Sequence, residues 1–568
     1  MNVANLRIAL IVALAGIAMP GLPAQQPDTT QPAQPQPAAQ GTPSQPAAQV
    51  APTAPVAPAS QAAPGAPSSP AQAPNPAQPV RNADGTFTIH MTTRLVVLDT
   101  VVLDAKGAVV KDLKRDDFHV EEVGQPQTIL NFEETGTHTP SPEVTIDSTA
   151  DLDRLAPRAP VDIVLLDEFN TRFEDMAFAR YSLKKYLEKQ PAKLITPTML
   201  IAVSLQKFAV LHDYTQNKDE IISALDHHFA VAPWQVSTGG WVAERYTTAF
   251  VTLRRVAEAV MGHPGHKNMI WIGRGFPPSR RAQGGWSIDT ENRIFSSVQD
   301  CVNILRDARV TLYTIDPAGV MVDPGVYGGD PMVDPFGGNY EFNKLAAATG
   351  GRTLYGRNDV DMEIQTAIQD GANFYTLTYR PANSLQDPQK FRKIKVTVDR
   401  PGLKVVTREG YYLQFGPRRV DPVNPSKQLI SDLLSADTSN MVYDAVSIAP
   451  TQSATDPDSF TVHVDGHSLA WMPATETEPR RTELILMTST FDKKGKELKR
   501  DAKVIKINAP ASAPPNGRYL HDLNIPCKLD HNPKAVRVRF SVRVSATGRI
   551  GTAELPLGQE ASTAAPAK

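Results

Sequence analysis

The alternation of apolar runs with helical patterns between residues 160 and 371 limits the fold of this chain more than any other feature. The run 161–166 is apolar apart from Asp162, as expected of a parallel strand buried on both faces. A helical spacing of apolar residues follows at 176–187, and similar pairs of strand and helix patterns repeat to residue 369. Such repeats predict an α/β domain at 160–371, with a mostly parallel sheet and helices on both faces.

Segments typical of β-structure stand on both sides of this domain. Residues 85–135 and 372–416 alternate apolar and polar side chains, and neither segment is large enough to be stable alone. We therefore predict that the two pair into one sandwich, with the α/β domain inserted between its halves. Residues 459–557 predict a separate C-terminal β-sandwich. The polar, Pro-rich segments 136–159 and 417–458 are interpreted as linkers.

The N-terminal end of the chain predicts export. Residues 1–24 have a weakly basic start, a short apolar run and a small residue at a cleavage point, which is the pattern of a signal peptide. An uncleaved anchor is the alternative. Residues 25–84 are mostly Pro, Ala and Gln and predict a disordered linker, and 558–568 predict a disordered tail. We expect a periplasmic or secreted protein with no membrane span after signal cleavage.

Composition and motifs exclude several classes of protein. The 568 residues carry a net charge of -2, so no global basic field favours nucleic acid. The two cysteines, Cys301 and Cys527, cannot form a disulfide framework and are interpreted as small buried hydrophobes. The sequence contains no nucleophile elbow, phosphate-binding loop or zinc-protease helix.

Polar residues follow the first strand of the α/β domain, where open sheets bind their ligands. Asp167, Asn170 and Thr171 come directly after the buried run, and Thr215 lies between a later strand pattern and a helix pattern. Oxygen atoms that converged there would suit Mg²⁺ or a similar hard cation.

The order of elements and several phrases resemble the von Willebrand factor A-related family found mainly in Acidobacteria. The phrases include Leu165-Leu166-Asp167 with Asn170-Thr171, and Leu312-Tyr313-Thr314-Ile315-Asp316. The resemblance covers about residues 85–415. It implies a von Willebrand factor A-like, Rossmann-like α/β domain, flanked by β-sandwich domains.

The resemblance also implies a site. A domains hold a metal in a metal-ion-dependent adhesion site, with an Asp-x-Ser-x-Ser loop, a Thr from a second loop and an Asp from a third. Asp167 corresponds to the first Asp, Thr171 to the second Ser and Thr215 to the Thr. Phe169 replaces the first Ser, and Arg274 stands where the third-loop Asp is expected.

The exchange of a carboxylate for a cation disfavours a divalent ion. Like charges about 4 Å apart repel by roughly 4 kcal/mol per unit-charge pair at an effective dielectric constant near 20. We therefore expect Arg274 to pair with Asp167 or a neighbour and to replace the ion, so that the protein needs no cofactor. Binding of Mg²⁺ or another divalent cation by Asp167, Thr171 and Thr215 is the alternative.

These observations favour an exported binding or adhesion module over an enzyme. We expect its strand C-terminal loops to contact an extracytoplasmic protein or glycan. The ligand-binding residues would be Asp167, Asn170, Thr171, Thr215 and Arg274. Two alternatives are a structural envelope component without a ligand site and a hydrolase that uses the Asp167 region.

Overall fold

The computed structural model describes most of the chain from residue 95 to residue 557. The predicted signal peptide, nearly all of the predicted spacer and the predicted tail lie outside the described residues. Two short strands, β1 (Val80–Arg81) and β2 (Phe87–Thr88), pair antiparallel and are described by themselves. The described residues are 80–81, 87–88, 95–230, 239–275, 288–319, 340–381, 391–412, 425–472, 474, 479–510, 512–513 and 519–557.

Short strands rich in β-branched and aromatic residues precede the α/β domain, as expected of a pleated, half-buried surface. They are β3 (Val96–Leu103), β4 (Phe118–Glu122), β5 (Gln125–Gln127) and β6 (Ile129–Glu133).

Strands and helices then alternate, because apolar residues change from runs to helical spacing along the chain. The elements are α1 (Thr149–Leu155), β7 (Val161–Asp167), α2 (Phe173–Glu188), β8 (Lys193–Val203), β9 (Phe208–Asn217), α3 (Lys218–His227), α4 (Gly239–Ala259), β10 (Lys267–Ile272), α5 (Ile288–Asp307), β11 (Val310–Ile315), α6 (Tyr340–Thr349), β12 (Thr353–Leu354) and α7 (Val360–Ala372).

The strands of the α/β domain form one six-stranded sheet in the order β12-β11-β10-β7-β8-β9. All of them run parallel except β9, which is antiparallel to β8 at the edge. Side chains of β7 alternate between two cores. Ile163 and Leu165 pack on the face that α4 and α5 cover, whereas Val164 and Leu166 pack on the face that α2, α3 and α7 cover. The domain is therefore doubly wound, with a mixed sheet between two helical layers.

The segments on either side of the α/β domain share two antiparallel sheets. The second segment supplies β13 (Tyr375–Tyr379), β14 (Phe391–Val398), β15 (Lys404–Val406) and β16 (Gly410–Tyr412). One sheet has the order β15-β3-β13-β6 and the other the order β16-β14-β4-β5. Their buried residues, among them Leu98, Phe118 and Tyr375, form one core.

The C-terminal region is a second pair of antiparallel sheets, β17-β18-β21 and β20-β19-β22-β23, around a common core. Helix α8 covers the outer face of the larger sheet, where Leu433 packs against Ile485 and Met487. The elements are α8 (Pro425–Thr438), β17 (Ile448–Gln452), β18 (Ser459–Val464), β19 (Arg481–Phe491), β20 (Glu497–Asn508), β21 (Leu523–Lys528), β22 (Arg537–Val544) and β23 (Ile550–Pro556).

Both segments interpreted as linkers contain packed elements. Residues 136–159 include α1, and Ile146 and Leu152 are buried in the core of the α/β domain. Residues 417–458 include α8 and β17, and Tyr443 packs into that same core. In α8 the apolar residues Leu429, Ile430, Leu433 and Leu434 recur at helical intervals, but the surrounding prolines favoured a linker interpretation. Each apolar residue of these segments that is buried contributes to a core.

A buried carboxylate joins the flanking sandwich to the α/β domain. Asp99 on β3 accepts hydrogen bonds from His266 Nδ1 at 2.9 Å, Arg309 Nη2 at 2.6 Å and Thr376 Oγ1 at 3.1 Å. Burial by itself would raise the pKa of Asp99. The charges of Arg309 and His266, with their hydrogen bonds, outweigh it and hold that pKa well below its usual range. The carboxylate therefore stays ionised at the boundary between the two domains.

We expect Asp99→Asn to lower the free energy of unfolding by about 3 kcal/mol, because it leaves Arg309 without its buried anionic partner. Chemical denaturation at neutral pH measures this. Asp116→Asn is the matched control, since Asp116 is exposed, and its effect should stay within about 0.5 kcal/mol. Equal effects of the two substitutions would contradict the assignment of Asp99 to the domain boundary.

Candidate functional site

Asp167 ends β7 at the point where the winding of the sheet reverses. Helix α2, which follows β7, packs on one face of the sheet, and α5, which follows the neighbouring strand β10, packs on the other. Open α/β sheets bind ligands in the crevice that such a reversal creates at the carboxyl ends of the strands. The loops after β7 and β10 meet at this crevice.

The Asp167 carboxylate is held by N–H groups. Its Oδ1 accepts a hydrogen bond from Asn170 N at 2.8 Å, and its Oδ2 accepts one from Trp271 Nε1 and one from Gly275 N, both at 3.0 Å. Burial raises the pKa of Asp167 to about 7, although these hydrogen bonds and the nearby Arg245 guanidinium oppose the increase. Both oxygens thus have donors from the protein itself.

The same two loops are tied together by further contacts. Asn170 Nδ2 donates to Gly275 O at 2.6 Å, and Arg274 N donates to Thr171 Oγ1 at 3.2 Å. Gly273 has φ +149°, and a Cβ there would lie 2.4 Å from Asp167 Cβ and 2.7 Å from Thr171 Oγ1. We call Asp167, Asn170, Thr171, Gly273 and Gly275 the loop latch.

Of the two partners expected for Arg274, Asp167 or a neighbouring acid, the structure shows ion pairs with other acids at this edge of the sheet. Its Nε lies 3.5 Å from Asp316 Oδ1, after β11, and 4.0 Å from Asp175 Oδ2 on α2. The backbone N–H of Arg274 contacts Thr171, and its side chain extends toward these two acids. The Arg274 side chain is buried. Its positive charge lies close to the carboxylates of Asp175 and Asp316 at this edge of the sheet.

The prediction that Thr215 converges with Asp167 is wrong. Thr215 lies within β9 opposite Thr198, which in turn lies opposite Asp162. Asp162 is five residues before Asp167, and at about 3.3 Å per residue this separates the two levels of the sheet by roughly 16 Å. Thr215 Oγ1 donates to Glu220 Oε2 at 2.8 Å instead.

The sequence did hold the signal for this arrangement. Only four residues, 204–207, separate β8 from β9. A connection that short can join antiparallel strands but cannot cross over to a parallel one. The strand after β8 therefore had to return toward the opposite edge and carry Thr215 away from Asp167.

The structure also corrects the expectation that these residues form a solvent-open binding rim. All of the predicted ligand-binding side chains are buried: Asp167, Asn170, Thr171, Thr215 and Arg274. Within the described residues, no three His, Cys, Asp or Glu side chains are grouped as metal ligands would be. The loop latch is therefore a closed structural device, and a ligand at this edge must contact other side chains.

Exposed aromatic residues do lie at this edge, and the sequence analysis missed them. Phe173 at the start of α2 is 54% exposed, Phe229 after α3 is 88% exposed and Tyr355 after β12 is 64% exposed. The only sequence signal was at Phe173, which falls outside the buried stripe of α2 that Met176, Ala179 and Leu183 define. We call Phe173, Phe229 and Tyr355 the aromatic edge.

Comparison with known proteins gives no match to any family model and none to a curated protein. Among solved structures, the VWA domain of SpRpn10 is similar at 14% identity and a TM-score of 0.16, over 31% of this chain and 97% of that one. The pilus adhesin SpaC from Lactobacillus rhamnosus GG is similar at 10% identity and a TM-score of 0.22, over 73% and 58%.

A calcium-binding mutant of β-glucuronidase 2 from Bacteroides uniformis is similar at 14% identity and a TM-score of 0.12, over 32% of this chain and 19% of that one. The TM-scores of all three structures are low. The strand order described above, and not these similarities, defines the architecture. Within the described part of the chain, none of the helices combines the length and the hydropathy that a membrane crossing requires.

We expect Gly273→Ala to lower the free energy of unfolding by about 3 kcal/mol, because it adds overpacking against Asp167 to an unfavourable backbone conformation. Gly495→Ala is the matched control: φ is +77° there, but a Cβ meets nothing within 4 Å. Only the conformational cost of about 1 kcal/mol should remain in the control. Urea denaturation compares the two, and equal losses would show that the loop latch is not closely packed.

Proposed function

We propose that this protein is a von Willebrand factor A-like binding module without enzymatic activity, which acts outside the cytoplasm and binds a protein through the aromatic edge. The observation that carries the proposal is the exposure of Phe173, Phe229 and Tyr355 at the edge where doubly wound sheets bind their ligands. Export is proposed from the signal-like pattern of residues 1–24.

The topology supports the A-like assignment. Numbered along the chain, the six strands have the order 3-2-1-4-5-6, with the third antiparallel at the edge. The first strand ends in Asp167, the residue that the family resemblance places at the head of its adhesion motif. The fold alone does not specify a ligand, so the choice of surface rests on the side chains that the edge exposes.

The aromatic edge has the chemistry of a protein-contact surface. Aromatic side chains are enriched among the residues that dominate binding energy at protein interfaces. Phe173 begins α2, Phe229 lies two residues after α3, and Tyr355 follows β12 and precedes α7. Helix α2 packs between α3 and α7. With neighbouring axes about 8–10 Å apart, the three helices together span roughly 20 Å, a width that fits one side of a protein interface better than a single sugar ring.

The donors around Asp167 support a site that works without metal. A divalent cation at this carboxylate would compete with the N–H groups of Asn170, Trp271 and Gly275, which occupy three of its roughly four acceptor positions. Asp167 is also buried. Its burial argues against a hydrolase, because a catalytic carboxylate must reach its substrate. We therefore propose that the loop latch replaces the metal as the device that positions the loops.

Substitution of the aromatic edge should abolish partner binding without loss of fold. We expect immobilised protein to retain a specific partner from envelope or culture-supernatant fractions, and Phe229→Ser to weaken binding at least about tenfold, as loss of a hot-spot aromatic does. Leu130→Ser, at an exposed apolar residue of the flanking sandwich, is the control and should bind normally. A partner bound equally by both variants would refute the proposed surface.

Two further outcomes of that experiment identify the alternatives. Binding that survives protease treatment of the fraction but is lost after glycosidase treatment would indicate a glycan ligand. Turnover of ester, peptide or glycoside substrates by the pure protein would favour the hydrolase.

Titration with Mn²⁺ should reveal no stoichiometric binding at Asp167. Electron paramagnetic resonance of free Mn²⁺ measures this directly, and Asp167→Ala should leave the titration unchanged. A tight equivalent of Mn²⁺ that disappears in Asp167→Ala would establish a functional adhesion-type metal site instead.

A further inference from the structure

A cleft lies between the α/β domain and the C-terminal sandwich. The function proposed above does not use it. The cleft has a volume of about 730 Å³, within the range of roughly 300–1,000 Å³ typical of ligand sites, which occur preferentially at domain boundaries. Its walls come from α4, α5 and three loops or strands of the C-terminal region, and include Met261, Asn303, Ile304, Trp471, Arg549 and Ile550.

Two buried polar groups in these walls lack hydrogen-bond partners. Asn303 is 3% exposed and Trp471 is 9% exposed. Neither Asn303 Oδ1 nor Trp471 Nε1 has a partner among the described residues. An unsatisfied buried donor or acceptor destabilises the protein, so a ligand that satisfied both atoms would bind more tightly than one that satisfied neither.

An amide group is the simplest chemical match to this pair. Its carbonyl oxygen can accept from the Trp471 N–H, and its N–H can donate to Asn303 Oδ1. Both atoms are buried, so binding requires Asn303 to turn about its terminal torsion, which is broad. It also requires the Trp471 indole to shift in its packing against Tyr519. Repeated amides are the defining feature of a peptide.

The charges of the cleft specify the rest of the ligand. Arg254 is paired with Asp432 at 3.2 Å and Glu258 at 3.6 Å, and Arg306 is paired with Asp307 at 2.7 Å. Asp300 has interactions of its own. Arg549 is exposed and makes no ion pair among the described residues. The cleft thus offers one cation with two or more guanidinium donors to an anionic group, and a carboxylate matches them.

We propose that this cleft binds a short peptide with a free carboxylate. The carboxylate pairs with Arg549, a backbone amide bonds Asn303 and Trp471, and apolar side chains contact Met261, Ile304 and Ile550. The site is independent of the aromatic edge, because the two sets of residues lie on different elements of the fold.

A mixture of N-acetylated tetrapeptides with free carboxyl ends tests the proposal. The indole ¹⁵N–¹H resonance of Trp471, assigned by its loss in Trp471→Phe, should shift on titration of the full-length protein with this mixture. The same mixture with amidated carboxyl ends should bind about tenfold or more weakly, as expected on loss of a hydrogen bond to a charged group. Arg549→Ala should weaken binding of the free-carboxyl mixture to a similar extent.

Arg380→Ala is the matched control, since Arg380 is exposed on the flanking sandwich, away from the cleft. It should leave the titration unchanged. Phe229→Ser should also leave it unchanged, so this test does not depend on whether the aromatic edge binds a partner. No shift of the Trp471 resonance, or equal affinity for free and amidated peptides, would overturn the proposal. Equal binding by Arg549→Ala would overturn it as well.

Discussion

The carboxylate of Asp167 is the constraint on which the carboxyl edge of the α/β sheet depends. It lies at the centre of the sheet, where the winding reverses, and its two oxygens bind N–H groups from the loops after β7 and β10. Hydrogen bonds to a buried carboxylate stabilise strongly because an unpaired one is so costly there. The crevice that open sheets usually present to ligands is thereby filled from within the protein.

With the crevice closed, the proposed contact surface consists of side chains around it. Asp167 and Thr171 are buried, whereas Phe173 and Phe229 are exposed in the described part of this edge. Phe173 follows the loop latch, and Arg274 lies between Asp175 of the same helix and Asp316. Phe229 follows His228, whose Nε2 lies 2.6 Å from Glu168 Oε1.

The turn before β10 joins the three parts of the protein through buried hydrogen bonds and charged groups. His266 donates to Asp99 of the flanking sandwich, and His263 Nε2 donates to Ala159 O at the start of β7. Lys267 is buried close to Asp444 of the C-terminal region, and burial lowers the pKa of Lys267 to about 7. Asp444 Oδ1 in turn accepts from Gly262 N at 2.7 Å. The cleft between the domains therefore has walls that are fixed relative to each other.

The sequence was sufficient for the fold class, because burial on both faces leaves an unmistakable pattern in strands such as β7. The α/β domain with a mixed sheet and the antiparallel sheets around it are confirmed. Helix α8 was missed because it begins at Pro425 and follows other prolines, although Pro is favoured at the first position of a helix.

The site was harder to predict, because its geometry depends on contacts between distant loops. The position of Asp167 at the end of a strand could be read from the sequence, but the donors Trp271 and Gly275 lie more than a hundred residues later. The sequence could not decide whether Arg274 pairs with Asp167 or with a neighbouring acid, because tertiary packing sets the direction of its side chain. The exposure of Phe229 likewise depends on how the chain leaves α3, which no local pattern encodes.

Hydrogen exchange of the latch donors tests the central claim most directly. The Gly275 and Asn170 amides and the Trp271 indole N–H can be followed by NMR in excess EDTA and again in excess Mg²⁺. A carboxylate satisfied by these donors predicts slow exchange that is the same in both conditions. Rapid exchange in EDTA that becomes slow on addition of Mg²⁺ would contradict it, since the cation rather than the N–H groups would then be holding the edge of the sheet together.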